Sequence, residues 1–259
     1  MDWQTLHYEK ENSLGIINFN RPQVLNAMNE AMVDELIVLL EEIEKDDEVK
    51  CLILYGGMRA FVAGGDIAYM STVNAVECEK FIDKTQQMMD KIASFNKPVI
   101  AAMAGLALGG GCELALTCDI RIAAEGTIMG VPESNLGLFP AAGGTQRLTR
   151  VVGIGWATHM ILTGDPIDTD TAMKIGLITK VVPGEQLLEE AKNLAAKLAA
   201  KSPLTTKVTK QCLKNAISTD LPTGLMYEQK AFAFLFATED KKEGVTAFLE
   251  KRQPNFTGR

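Results

Sequence analysis

Two carboxylates and two glycine-rich turns are the residues of this chain whose types and spacing could do chemistry. Glu113 stands alone in GLALGGGCELALTC (residues 105–118), directly after Gly109, Gly110 and Gly111. A buried acid costs several kcal/mol unless it is paired or neutralised, so an apolar segment that carries one raises a question of use. Glu133, in GVPES, follows a proline in a short loop. Two carboxylates around one water can serve as general base and general acid, each titrating under the other's influence. Taken alone, Glu133 is better explained as a first-turn acid complementing a helix dipole.

The glycines suggest a second function. FVAGGD and LALGGGCE both place glycine at the start of a helix after an apolar strand. Such a helix start presents unpaired N–H groups, and glycine lets a ligand oxygen approach them closely. Two of these donors converging on one oxygen would form an oxyanion hole, in which each donor contributes roughly 3–4 kcal/mol to the transition state. Either turn by itself is also what tight strand–helix packing requires. Neither matches a P-loop or GxGxxG. No GxSxG occurs, and with only His7 and His159 present, a histidine-activated serine has no partner at plausible spacing. Cys112 and Cys118 read as small core residues.

The elements that must position these groups can be read along the chain. SLGIINFN (13–20) reads as a strand, followed by a helix capped by Asn29. KCLILYGG (50–57) reads as a strand leading into AFVAGGDIAYM, where Asp66 is placed to cap a helix. A helix over 77–95, strand PVIAAMAG and helix CELALTC come next, then strand IRIAA (120–124) and a further glycine turn before a helix. Three strand–turn–helix units imply an α/β layer structure. Beyond Lys201-Ser202-Pro203 only helices are expected, over 203–217, 222–238 and 239–251. Phe232, Phe234, Phe236 and Phe248 there suit local packing or an apolar surface docking on another subunit.

Composition narrows the function classes. The chain has 259 residues and a net charge of −7, against the basic surplus of a nucleic-acid binder. No apolar run approaches the roughly 20 residues of a membrane span. The start, MDWQTLHYEKEN, lacks the pattern of a signal peptide. Five cysteines without a CxxC pair argue against a disulfide framework or zinc site. A cytoplasmic protein with reduced thiols is expected.

NRPQVLNAM, AFVAGGDI, KPVIAAMAGLALGGGCELALTCDIRIA, PESNLGLFPAAGGTQRL and TAFLEKR together resemble the enoyl-CoA hydratase/isomerase (crotonase) family, in order through nearly the whole chain. The resemblance implies an α/β fold, a spiral of repeated ββα units over residues 1–200. It also implies a C-terminal helical trimerisation region over 201–259. It puts the oxyanion hole on the N–H groups of Gly65 and Gly110, and the two catalytic acids on Glu113 and Glu133. The CoA and substrate contacts fall on Gln23, Val24, Leu25, Ala63, Gly64, Asp66, Ile67, Ala68 and Ala141. Phe248 and Lys251 would be contributed by the C-terminal helix of a neighbouring subunit. Implied partners are an acyl-CoA thioester and further copies of the chain, as a trimer or a dimer of trimers. No metal or redox cofactor is implied.

The implied reaction is reversible hydration of a trans-2-enoyl-CoA, with Glu113 as base and Glu133 as acid. Alternatives on the same scaffold are an enoyl-CoA isomerase, which commonly keeps one working carboxylate, or another CoA-thioester lyase. A binding protein or a peptidase on this architecture is disfavoured by the acidic balance, the glutamate pair and the missing serine. Val131 stands where many hydratases have Gln, Ala141 where many have Gly, and Ala68 where many have Lys. These departures bear on the pocket's shape more than on the reaction.

Overall fold

The computed structural model describes residues 3–259. The chain opens with a hairpin, β1 (Leu6–Glu11) antiparallel to β2 (Leu14–Phe19), followed by α1 (Glu30–Lys45) and β3 (Cys51–Tyr55). The short α2 (Ile67–Met70) and long α3 (Ala75–Ala93) precede β4 (Val99–Met103), β5 (Leu106–Leu108) and α4 (Gly110–Thr117). Then come β6 (Ile120–Ala124), β7 (Ile128–Gly130), a 3-10 turn at Pro132–Leu136 and α5 (Gly144–Thr163). After α6 (Thr169–Lys174), β8 (Lys180–Val182) and α7 (Leu187–Ala199), the chain ends in α8 (Pro203–Ala216), α9 (Leu221–Leu235) and α10 (Glu239–Glu250).

Strands β1-β2-β3-β4-β6-β8 form one sheet in that order, parallel from β2 onward. CLILY and VIAAM are buried almost throughout, as strands covered on both faces must be. The cover on one side is α7, whose Leu187, Ala191 and Ala195 join Ile53, Ile100 and Ile122 in one core. On the other side, α1 and α3 enclose the larger core with Leu36, Leu40, Met88 and Leu54.

A second layer positions the site. β5 pairs in parallel with β7, and single bridges extend the pairing through Val62↔Ala107, Met28↔Gly65 and Met129↔Ile167. Each turn of the chain therefore runs from a main-sheet strand, through a short second-layer segment, into a helix. Four such turns stack, beginning at β2, β3, β4 and β6, so the expected α/β spiral of ββα units is the observed fold. The sequence reading differs in three details. LAL and IMG are strands rather than loop, and they escaped notice because three residues show no periodicity. β1 was missed because it is an edge strand with one buried residue in a charged segment. The sequence pattern predicts no element over the residues that form α6, β8 and α7. The expected terminal helices lie within three residues of the observed ends.

Candidate functional site

Glu113 owes its position to α4, a helix buried from Gly111 to Thr117. Gly109 precedes it with φ +51°, a conformation that disfavours side chains. Gly111 approaches the Val62 carbonyl so closely that a β-carbon would collide with it. The helix can therefore seat against the 61–65 segment only because these positions lack side chains. Burial leaves Glu113 3% exposed, and its Oε1 accepts a 2.7 Å hydrogen bond from the Gly144 N–H at the start of α5. Burial pushes its pKa up to about 7; the Gly144 bond opposes the rise and the Glu133 charge adds to it.

Glu133 arrives by another route, in the 3-10 turn that continues directly from β7. Burial raises its pKa as well, and its Oε2 is buried without a hydrogen-bond partner. A β-carbon on Gly109 would lie 2.8 Å from Glu133 Oε1 and 3.5 Å from Gly64 Cα, so Gly109 sits between that acid and the other glycine turn. A buried carboxylate oxygen without a partner is a free acceptor, or a donor when protonated, for a water or ligand.

Gly65 and Gly110 meet at one end of the second layer. A β-carbon on Gly110 would be 3.8 Å from the Gly65 nitrogen. Neither N–H donates to another group among the described residues, while Met28 fixes the flanking atoms by Met28 N→Gly64 O and Asp66 N→Met28 O, each 2.8 Å. Two free donors and two acids with raised pKa thus share one end of the second layer. That combination can stabilise charge on an oxygen while protons move beside it.

The remaining expected residues divide. Leu25 O accepts from Ala63 N at 3.1 Å, which brings the Gln23–Leu25 turn beside Ala63 and Gly64. Val24 and Ile67 are exposed and Ala68 lies at the surface near them. Asp66 has no spare carboxylate oxygen: Oδ2 pairs with Arg21 at 2.9 Å and Oδ1 caps α2 at Ala68 and Tyr69. Ala141 contributes its carbonyl to Gln86 at 2.7 Å, and the N–H that reaches Glu113 belongs to Gly144 instead. No hydrogen bond among the described residues ties Phe248 or Lys251 to this site, and Phe248 is 82% exposed. Sequence reasoning missed Gly144, Arg21 and Asn26. The GG before α5 and the N-R-P and N-A-M turns were their only signals.

Cys112 and Cys118 are buried, with thiol pKa values pushed up to about 12, which fits inert core residues.

Comparison with known proteins matches the Enoyl-CoA hydratase/isomerase family model to residues 9–259. A Clostridium acetobutylicum short-chain-enoyl-CoA hydratase is 42% identical over 254 residues, 98% of this chain and 97% of that protein. A Syntrophomonas wolfei crotonyl-CoA hydratase is 43% identical over 257 residues, 99% of each chain. The crystal structure of an enoyl-CoA hydratase from Bacillus anthracis superposes with a TM-score of 0.96 at 37% identity, covering 99% of this chain and 100% of that one.

Proposed function

The chain belongs to the enoyl-CoA hydratase/isomerase family, and we propose that it catalyses reversible hydration of a short-chain trans-2-enoyl-CoA. The observation that carries this reading is the meeting of two unpaired N–H groups, Gly65 and Gly110, with two buried acids. The thioester carbonyl accepts both N–H groups. Charge drawn onto that oxygen makes C3 electrophilic, and water held between the acids attacks C3. Ionised Glu113, oriented by Gly144, removes the water proton; Glu133 supplies a proton to C2. The 3-hydroxyacyl-CoA so formed is dehydrated by the same groups in reverse. Water adds across the C2=C3 double bond, with a C–O bond formed at C3 and a C–H bond at C2 in place of the π bond and no net electron transfer, so this reading assigns no metal or redox cofactor.

Two working acids favour water addition over double-bond migration. The exposed turn at Gln23–Leu25 with Ala63, Gly64, Ile67 and Ala68 suits the pantetheine and adenine of CoA. Asp66 takes part through its backbone, its side chain being engaged with Arg21. We further infer a cytoplasmic enzyme that self-associates as a trimer or dimer of trimers through residues 201–259. Helices α8 and α9 contain no buried residue, which supports cover by another copy. No helix among the described residues is long and apolar enough to cross a membrane.

Incubating the purified protein with crotonyl-CoA tests the reaction. Loss of the conjugated-thioester absorbance with formation of 3-hydroxybutyryl-CoA is expected. An unchanged spectrum sinks the short-chain hydratase reading.

A further inference from the structure

The segment that carries Gly65 is held by a charged bracket that the hydration chemistry does not itself use. Asn26, 2% exposed and in the left-handed region at φ +59°, donates to the carbonyls of Gly56, Ala60 and Phe61. Its Oδ1 accepts from the Arg21 N–H at 2.9 Å. The Arg21 guanidinium then spans from the Ala27 carbonyl to Asp66 Oδ2, with both charged side chains only 14% exposed. Asp66 is the residue directly after Gly65. Its carboxylate is therefore a negative charge one residue from a free N–H, its side chain 14% exposed and held by Arg21 and the start of α2. Charge developing on an oxygen bound at Gly65 would be opposed by that carboxylate unless a cation neutralised it.

We propose that Arg21 is a positioning residue whose guanidinium neutralises Asp66 and so keeps the Gly65 N–H competent to stabilise negative charge. The inference rests on the hydratase reading above. It goes beyond it by giving the oxyanion site an electrostatic support from a different element. A purely structural ion pair would also recover stability when both partners are removed, so it is told apart by its readout: its loss would lower folding stability without singling out kcat and the bound enolate. The electrostatic role is asymmetric. Arg21→Met leaves the partly buried Asp66 carboxylate without its cation, whereas Asp66→Asn removes the opposing charge, and asparagine still caps α2.

The test has two readouts on wild type, Arg21→Met, Arg21→Lys, Asp66→Asn and Arg21→Met/Asp66→Asn. The first is steady-state hydration of crotonyl-CoA. The second is the near-ultraviolet absorbance of the enolate of bound acetoacetyl-CoA, a 1,3-dicarbonyl thioester whose ionisation depends on stabilised charge at the thioester oxygen. Arg21→Met is expected to lower kcat about ten- to a hundredfold with KM changed less than about threefold. It should also lose most of the enolate signal. Asp66→Asn should cost less than Arg21→Met, the double variant should recover most of the loss, and Arg21→Lys should retain most of the enolate. Arg21→Lys and the double variant carry the same comparison if Arg21→Met does not fold. Equal losses in all four variants, or a double variant as poor as Arg21→Met, would overturn the proposal. A wild type that binds acetoacetyl-CoA as enolate without hydrating crotonyl-CoA would refute the hydratase reading, leaving Arg21 judged by the enolate series. A wild type that does neither refutes both.

Discussion

Glu113 and Glu133 reach one end of the second layer from unrelated backbones, and their environments set what each can do. Glu113 carries a pKa near 7, so about half of it is ionised at neutral pH. The hydration kcat/KM should fall roughly tenfold per pH unit on the acid side of about 7, as the base becomes protonated. The same shift has a consequence for stability. Folded Glu113 holds its proton to about 7, whereas the unfolded chain releases it near 4.5. The folded state therefore binds more protons between these values, and stability falls as pH rises through that window. Full ionisation costs on the order of 3 kcal/mol. Glu113→Gln keeps an acceptor for Gly144 and removes that cost. Its melting temperature should exceed wild type by several degrees at pH 8 and match it near pH 4, readable by calorimetry. Gly144→Ala should act oppositely, because its β-carbon would lie 3.0 Å from Glu113 Oε1 and 2.6 Å from Pro140. A drop in kcat of at least about tenfold is expected, with Glu113 pushed off its N–H.

At the scale of elements, the loops between layers matter as much as the helices they start. Asn26 ties the 21–28 turn to the 56–61 segment through three carbonyls. Asn26→Ala leaves these acceptors unpaired in a buried site and should destabilise the chain by about 2–4 kcal/mol, measured by urea unfolding. The inner main-sheet strands β2, β3, β4 and β6 were legible as apolar runs, as in KCLILY and PVIAAM, whereas the edge strands β1 and β8 were not. Helix α1 was legible from its period and its Asn29 cap, whose side chain accepts from Met32 N. The second layer was not. Its members are three-residue strands and single bridges, held by neighbours distant in sequence, and no local pattern encodes such pairing. Asp66 was expected as a cap and is one; its pairing with Arg21, 45 residues away, had no local signature.

For the whole molecule, the terminal helices present the clearest unmet need. Leu213, Leu221, Met226, Phe232 and Phe248 are each at least 60% exposed, more apolar surface than an isolated subunit normally leaves in water. Light scattering should give a mass of three or six chains, and a monomer would remove the basis for a CoA site completed by Phe248 and Lys251 of another copy. The acids and glycine turns of the candidate site could be picked out by residue type and spacing, though each alone also fitted a packing or capping role. The engagement of Glu113 with Gly144 and the crowding of Gly109 against Glu133 were not legible, because they depend on how four turns of the spiral stack. The claim that binds these scales together is that both acids act on one water. Its most direct test is the crotonyl-CoA hydration rate of Glu113→Gln, Glu133→Gln and the double variant. Each single variant should lose at least about a thousandfold in kcat, and the double should be hardly worse than either, because the acids work as a unit. A near-normal rate in one single variant, or losses that multiply in the double, would contradict it.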